Sequence, residues 1–306
     1  MSLSPDAQKF LDERAALGTR SVQELSVDDA RAQSIRLNAN LPRDPVARVR
    51  DLNLGAIPAR LYYPNEQPNL PIVVFFHGGG WVLGNLDVCD AACRQWANGT
   101  QCLVVSVNYR HAPDYKFPAA AEDAYNATRW VSEHASEIGG DASRIAVAGM
   151  SAGGNLATVT ALMARDRDTP RIVFQLLWVP VIDFDFETRS YHENAEGFGL
   201  TRGDMQWFWN QYLNSPQDGE NPYASPMRAD VSNLPPAFVV VAQYDPLRDE
   251  ALAYVEKLRA AGVPVEFRVY EGMIHGFLGA QANQDAWRAI RSALGVSNAS
   301  QKRDDS

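Results

Sequence analysis

The chain has 306 residues, 46% hydrophobic and 21% charged, which is typical of a globular protein and excludes a fibrous or disordered one. Its formal net charge of -9 disfavours binding to nucleic acids or anionic membranes, because both need clustered lysine and arginine. No apolar run reaches the roughly 18 residues of a membrane span, and the first residues lack the pattern of a signal peptide. We therefore expect a cytoplasmic protein.

Two helices are predicted at the start of the chain, within residues 1–45. The stretch SPDAQKFLDERAAL opens with a serine cap, a proline at the first helical position and acidic residues in the first turn. The stretch SVDDARAQSIRLNANL repeats this arrangement. The apolar residues then change to strict alternation in VARVRDLNL and IPARLYYP, which predicts two β-strands.

From residue 70 onward, short apolar runs alternate with helical segments. Continuous apolar runs separated by helices indicate a parallel sheet covered on both faces. We assign residues 46–182 and 226–296 to this α/β core, and residues 297–306 to a flexible tail. The predicted strands are PIVVFF, CLVVSV, RIAVA, IVFQLLWVP, AFVVVA and VEFRVY.

The three cysteines are predicted to be buried, reduced thiols. Cys89 and Cys93 are four residues apart, which is a helical spacing, and Cys102 follows alone. The CxxC spacing of a redox pair or a metal site is absent from the sequence. We therefore expect no metal site.

Residues 183–225 break the alternation of strands and helices, since they are too long for a simple crossover and are rich in Phe, Trp and Tyr. We interpret them as a helical cap over one end of the sheet, completed by the N-terminal helices. Aromatic covers commonly wall an apolar substrate pocket. Packing within the cap itself is the alternative for each cap aromatic, Trp209 included. Candidate substrate contacts are Trp81, Phe198, Trp207, Phe208 and Phe277.

The stretch RIAVAGMSAGGN places one serine between a predicted strand and a predicted helix. Gly149 and Gly153 permit a turn tight enough to force Ser151 into a strained conformation that exposes its hydroxyl. The helix that follows would favour a developing negative charge at its N-terminus. This G-x-S-x-G pattern in a strand–turn–helix context predicts a nucleophile. A glycine-rich turn that binds phosphate is the alternative.

A serine hydroxyl needs a base, and the base needs an acceptor that fixes its tautomer. His275 follows the predicted strand VEFRVY, so it should lie at the same sheet edge as Ser151. Asp245 follows the predicted strand AFVVVA in the same way. A structural role for His275 and a helix-capping role for Asp245 are the alternatives, and Asp249 is the better candidate cap. The other histidines are His77, His111, His134 and His192.

The stretch PIVVFFHGGGWVLG supplies candidates for an oxyanion hole. Glycines lack Cβ atoms, so their N–H groups can approach a bound carbonyl closely. The candidate donors are the N–H groups of Gly78, Gly79 and Ala152, each typically worth about 3 kcal/mol at the transition state. We expect His77 to hold this loop rather than to transfer protons.

Together these motifs resemble the hormone-sensitive-lipase-like family of α/β-hydrolase carboxylesterases, bacterial members included. The matching stretches are HGGGWVLG, NYRHAPDYKFPAAAEDA, GMSAGGN, DPLRDEA and HGF, in the expected order from about residue 70 to residue 280. The order Ser151, Asp245, His275 is also that of the α/β-hydrolases. The resemblance implies an α/β-hydrolase fold, with a mostly parallel central sheet, helices on both faces and a helical cap.

The resemblance also implies an activity: a serine carboxylesterase that hydrolyses short- to medium-chain carboxylic esters through an acyl-enzyme intermediate. Its expected partner is a small-molecule ester, without a cofactor. Family members are often dimers through a sheet edge and a helix near the C-terminus, so a homodimer is expected by analogy. An amidase or arylformamidase on the same triad, and a non-catalytic small-molecule receptor of this fold, are the alternatives.

Two positions depart from the family pattern. Met150 stands before the serine, where the family usually has Asp or Thr, and a thioether cannot donate a hydrogen bond. His111 stands where the family usually has a larger apolar residue. Neither change removes a candidate catalytic residue.

Overall fold

The computed structural model describes residues 2–277 and 279–296, and its centre is one eight-stranded sheet. The strand order is β1-β2-β4-β3-β5-β6-β7-β8. Strand β2 pairs antiparallel with β1 and with β4, and every other pair of neighbouring strands is parallel. The predicted, mostly parallel sheet is therefore confirmed. The strands are β1 (Arg48–Leu54), β2 (Ile57–Tyr63), β3 (Leu70–Phe76), β4 (Leu103–Val107), β5 (Gly140–Met150), β6 (Phe174–Trp178), β7 (Ala237–Tyr244) and β8 (Val265–Ile274).

Helices cover both faces of the sheet, because its central strands are apolar on both sides. Every residue of β3 and β4 is buried. The buried residues form one cluster that includes α4, α5 and α8 and a second that includes α3 and α9. The helices are α1 (Pro5–Ala16), α2 (Val27–Asn38), α3 (Asp90–Thr100), α4 (Ala119–Glu133), α5 (Ala152–Asp166), α6 (Arg189–Glu193), α7 (Arg202–Tyr212), α8 (Arg248–Ala260) and α9 (Gly279–Ala293).

The segment between β6 and β7, residues 183–225, adds no strand to the sheet, and we call it the β6–β7 insertion. It contains α6, α7 and a 3₁₀ turn at Pro216–Glu220. The insertion contacts the N-terminal segment through Asp204, whose carboxylate accepts hydrogen bonds from the Ser21 hydroxyl and from the backbone N–H of Gln23. The two segments expected to form a cover therefore meet.

The two N-terminal helices and the predicted strands lie where the sequence places them, whereas the expected role of Asp249 is corrected. Asp249 does not cap α8, because that helix begins at Arg248 and Asp249 lies inside its first turn. Its carboxylate instead accepts a hydrogen bond from the backbone N–H of Ser190, in the first turn of α6, at 2.8 Å. The predicted tail, residues 297–306, lies outside the described residues.

Candidate active site

Ser151 occupies a strained turn between β5 and α5. Its φ of 57° and ψ of -121° lie outside the regions that ordinary residues prefer. A Cβ atom at Gly149 would lie 2.0 Å from the carbonyl oxygen of Gly153, and one at Gly153 would lie 2.0 Å from that of Phe76. Only glycine fits at these two positions, because neighbouring backbone lies too close to leave room for a side chain. The Ser151 N–H donates to the Trp178 carbonyl at 2.8 Å, which ties the turn to the end of β6.

His275 and Asp245 form a hydrogen-bonded pair at the carboxyl ends of β8 and β7. His275 Nδ1 lies 2.7 Å from Asp245 Oδ2, and the aspartate side chain is 1% exposed. The other carboxylate oxygen accepts from the Leu247 N–H at 2.9 Å. With one oxygen occupied by the backbone, Asp245 presents the second to the imidazole in a fixed direction.

The structure brings Ser151 to the sheet edge that carries this pair, since β5, β7 and β8 run in the same direction. Ser151 is 8% exposed and the His275 side chain 12% exposed, so both are shielded yet reach the surface. Within the described part of the chain, no hydrogen bond joins the serine hydroxyl to the imidazole. Such contacts are often long in unliganded enzymes and tighten when substrate binds.

The glycine loop after β3 lies beside Ser151. A Cβ atom at Gly78 would lie 3.5 Å from the Ser151 Cβ. His77 Nδ1 lies 2.9 Å from the Gly78 carbonyl oxygen, and the two ends of a peptide unit point in opposite directions. This bond therefore turns the Gly79 N–H away from His77. None of the hydrogen bonds among the described residues uses the N–H of Gly78, Gly79 or Ala152, so these three donors are free.

Tyr109 supports this loop, a role that was not predicted from the sequence. Its hydroxyl donates to the His77 carbonyl at 2.8 Å, and its ring stacks on the imidazole with centroids 4.5 Å apart. Burial lowers the pKa of His77 to about 4, so the ring is neutral and its Nδ1–H can donate to Gly78. The sequence signal for it is the stretch NYRHAP, which contains this tyrosine and belongs to one of the family-like motifs.

Two further buried side chains fix the chain around Ser151. Asn155, in α5, donates through Nδ2 to the carbonyls of Val181 and Ala224 at 3.1 and 2.9 Å. Glu250, in α8, accepts from the Ile182 N–H at 2.7 Å, and burial raises the pKa of its carboxyl well above the usual value. The sequence gives a weak signal for both, since each follows a catalytic motif by a few residues.

A cavity of about 530 Å³ has His275 in its wall and lies between the N-terminal segment, the β6–β7 insertion and the loop that carries His275. Its walls are mostly apolar and include Leu83 and Phe208. A cleft of about 690 Å³, lined by Ala237 and Val265, lies at the opposite ends of β7 and β8 and is remote from these groups. Of these two, the cavity beside His275 is the one in reach of the candidate base.

The five aromatic residues proposed to contact substrate have different environments. Phe208 lines the cavity. Phe277 stacks on Phe10, Phe198 stacks on Tyr244, and Trp207 is half-buried against Phe208.

Trp81 does not line the cavity. It is 0% exposed and stacks on Tyr212 of α7 with centroids 4.1 Å apart. Its left-handed φ of 60° turns the indole into the core beneath the insertion. Trp81 therefore has a packing role, and the expected substrate contact is not supported.

In the described residues, no helix is long and apolar enough to cross a membrane. All three cysteines are buried and free, as expected.

Comparison with known proteins places these features in a family context. A family model described as the alpha/beta hydrolase fold matches residues 73–279. Esterase LipI of Mycobacterium tuberculosis is 46% identical over 268 residues, covering 83% of this chain and 83% of that protein. An arylesterase of Saccharolobus solfataricus is 38% identical over 287 residues, covering 91% and 93%. The structure of a hyperthermophilic esterase from the archaeon Pyrobaculum calidifontis matches with a TM-score of 0.90 at 42% identity, covering 95% of this chain and 99% of that one.

Proposed function

The chain belongs to the α/β-hydrolase family and is a carboxylic ester hydrolase, and we propose that Ser151, His275 and Asp245 are its catalytic triad. The observation that carries this proposal is the strained Ser151 turn at the sheet edge that also holds the hydrogen-bonded His275–Asp245 pair. The resemblance to the carboxylesterase family and the expected fold are both confirmed.

In this mechanism the Ser151 hydroxyl attacks the ester carbonyl carbon, and His275 Nε2 takes the hydroxyl proton. Asp245 holds the proton on Nδ1, which leaves Nε2 free to act as the base. The imidazolium then donates its proton to the leaving alcohol, and an acyl-enzyme remains. His275 next activates a water molecule, which releases the acid and restores the serine. The reaction needs no cofactor.

The free N–H groups of Gly78, Gly79 and Ala152 are proposed to hold the oxyanion. Ala152 follows the serine in the chain, a Cβ atom at Gly78 would lie 3.5 Å from the Ser151 Cβ, and Gly79 is the next residue of that loop. They have no partner within residues 2–277 and 279–296, so no bond among these residues has to break when the oxyanion forms. One donor of this kind is typically worth about 3 kcal/mol in the transition state.

Short- to medium-chain esters are the proposed substrates. The cavity of about 530 Å³ is of the size that takes a small molecule, and its apolar walls suit an acyl chain. An amidase or arylformamidase would use the same triad, and substrate assays separate these activities.

The test combines a substrate series with location of the nucleophile. Initial rates are measured on p-nitrophenyl esters of increasing chain length, beside N-formylkynurenine. The protein is also treated with an organophosphate, and the modified residue is identified by mass spectrometry. We expect ester turnover, a single adduct on Ser151, and loss of both in Ser151→Ala. An adduct on another residue, or a Ser151→Ala variant that keeps its turnover, would remove the triad assignment.

We also propose a cytoplasmic location and a homodimer. The three free, buried thiols support a reducing compartment. The dimer rests on analogy with the family, and β8 lies at the edge of the sheet where such contacts form. Light scattering after size-exclusion chromatography tests the dimer.

A further inference from the structure

Helix α1 packs on the loop that carries His275. The Phe10 ring stacks on Phe277 with centroids 5.6 Å apart, and it would lie 3.3 Å from a Cβ atom at Gly276. The Ser4 N–H, at the start of the helix, donates to the Gly272 carbonyl at 2.9 Å. The side chains on this face of α1 therefore lie next to the proposed base.

Arg14 lies one helical turn after Phe10 and lines the same cavity as His275. Its guanidinium carbon lies 4.9 Å from the centroid of the Phe10 ring. The side chain is half-buried, and burial lowers the pKa of the guanidinium. Across residues 2–277 and 279–296, no carboxylate, carbonyl or hydroxyl oxygen forms a hydrogen bond or an ion pair with this group.

The other charged side chains that line the cavity are already paired. Arg20 donates to the Glu24 backbone carbonyl at 3.0 Å and lies 3.4 Å from the Glu24 carboxylate. Asp204 is 4% exposed, and its carboxylate accepts bonds from the backbone at the start of α7 and from the N-terminal segment. Arg14 is thus a partly desolvated cation in a mostly apolar wall, and its donors have no oxygen partner among the described residues.

We propose that Arg14 binds a carboxylate carried by the substrate, so that the preferred esters have an anionic group remote from the ester bond. Half-esters of linear dicarboxylic acids are the simplest members of this class. The inference deepens the proposed esterase function and rests on it. A carboxylate would pair with two guanidinium N–H groups, and partial burial makes such a charged hydrogen bond stronger than in water.

The geometry also sets a length requirement. The Phe10 ring separates the guanidinium from the His275 loop, so a carboxylate directly beside the ester group would not reach Arg14. Several methylene groups are needed between the two. These methylenes would contact the apolar walls, which a neutral ester of the same length also does.

The test compares each anionic ester with a neutral ester of the same chain length. The anionic series comprises mono-p-nitrophenyl succinate, adipate and suberate, and the neutral series p-nitrophenyl butanoate, hexanoate and octanoate. A second pair of series carries the carboxylate on the alcohol side, as acetate esters of ω-hydroxy acids, each beside the matched n-alkyl acetate. The readout is kcat/KM for the anionic ester divided by kcat/KM for the matched neutral ester. A variant that is partly unfolded lowers both values by the same factor, so this ratio does not change.

We expect this ratio to rise with chain length in the wild-type protein and to fall about tenfold or more in Arg14→Gln. Arg14→Lys should retain part of the preference, because it keeps the charge and loses the fork of donors. Arg20→Gln is the matched control, a cavity cation with a partner, and its ratio should equal that of the wild type. If the ratio falls in Arg14→Gln for the dicarboxylic half-esters, the acyl group lies near α1. If it falls for the acetates of ω-hydroxy acids, the alcohol group lies there.

An equal ratio in the wild type and Arg14→Gln, in both series, would overturn the inference and leave Arg14 as a side chain that packs over Phe10. That result would leave the esterase proposal intact, provided that neutral esters are hydrolysed. Wild-type protein that hydrolyses no ester of either kind would instead refute the proposed function, and this inference with it.

Discussion

His111 packs against His77 and Tyr109, which support the loop at Gly78 and Gly79, and its titration can be tested. Its ring centroid lies 5.3 Å from that of His77 and 5.0 Å from that of Tyr109. Its Nε2 atom is buried and has no hydrogen-bond partner among the described residues. Burial, with repulsion from His77 as the next contribution, lowers the pKa of His111 to about 3.

The direction of the pH effect follows from this lowered pKa. The pKa of a histidine in an unfolded chain is about 6.5. Between pH 3 and 6.5 the unfolded state therefore binds a proton at His111 and the folded state does not. The contribution to stability is therefore complete above about pH 6.5 and is lost as the pH falls towards 3. At pH 5.0 the loss from His111 is about 1.5 pH units at 1.36 kcal/mol each, or about 2 kcal/mol.

The perturbation is His111→Leu, which fills the site with an apolar side chain and removes the titrating group. The free energy of unfolding is measured by urea denaturation at pH 7.5 and pH 5.0 for both proteins. We expect the wild type to lose about 2 kcal/mol more than the variant between the two pH values. The difference between the proteins cancels the titrating groups that are remote from position 111, such as Glu250.

Val82→Ala is the matched control, because Val82 is buried beside the same loop and does not titrate. It should lower stability by the same amount at both pH values. The reasoning is refuted if His111→Leu and the wild type lose equal stability on acidification, since His111 would then bind its proton in the folded state as readily as in the unfolded state.

Three other predictions concern the site. Asp245→Asn should lower kcat about 10⁴-fold with little change in KM, because the amide no longer fixes the His275 tautomer; steady-state kinetics on an ester decide this. Gly79→Ala should lower kcat about 10²-fold in protein that still folds by circular dichroism, because the new Cβ would lie 2.5 Å from the Leu83 carbonyl oxygen and must displace the loop. Asn155→Ala should lower the free energy of unfolding by about 3 kcal/mol in urea denaturation, because two buried carbonyls lose their donor.

Much of the site could be predicted because its residues follow apolar runs. Ser151, Asp245 and His275 each come directly after a strand, and parallel strands end at one edge of a sheet. The position of each residue directly after an apolar run was therefore enough to predict that the three side chains lie at the same sheet edge. The glycines near Ser151 were informative for a related reason, since the close backbone contacts at Gly149 and Gly153 admit no side chain.

What the sequence could not show depends on contacts between distant segments. The predicted strand RIAVA is the centre of a longer strand, because Gly140 pairs with Leu70 across a register shift. The orientation of Trp81 depends on a turn in which the Leu83 N–H donates to the Gly79 carbonyl at 2.8 Å. An aromatic residue after a glycine run can point to substrate or to the core, and only the fold decides between them.

The packing of the glycine loop against the β6–β7 insertion has a consequence for engineering. Trp81 stacks on Tyr212, and a Cβ atom at Gly80 would lie 2.0 Å from the Phe208 ring. A chimera that exchanges only residues 183–225 for those of a relative would bring mismatched side chains against the loop that carries Gly78 and Gly79. Grafts that transfer residues 80 and 81 together with the insertion should keep turnover while changing selectivity, so these two sections of chain form one exchangeable module.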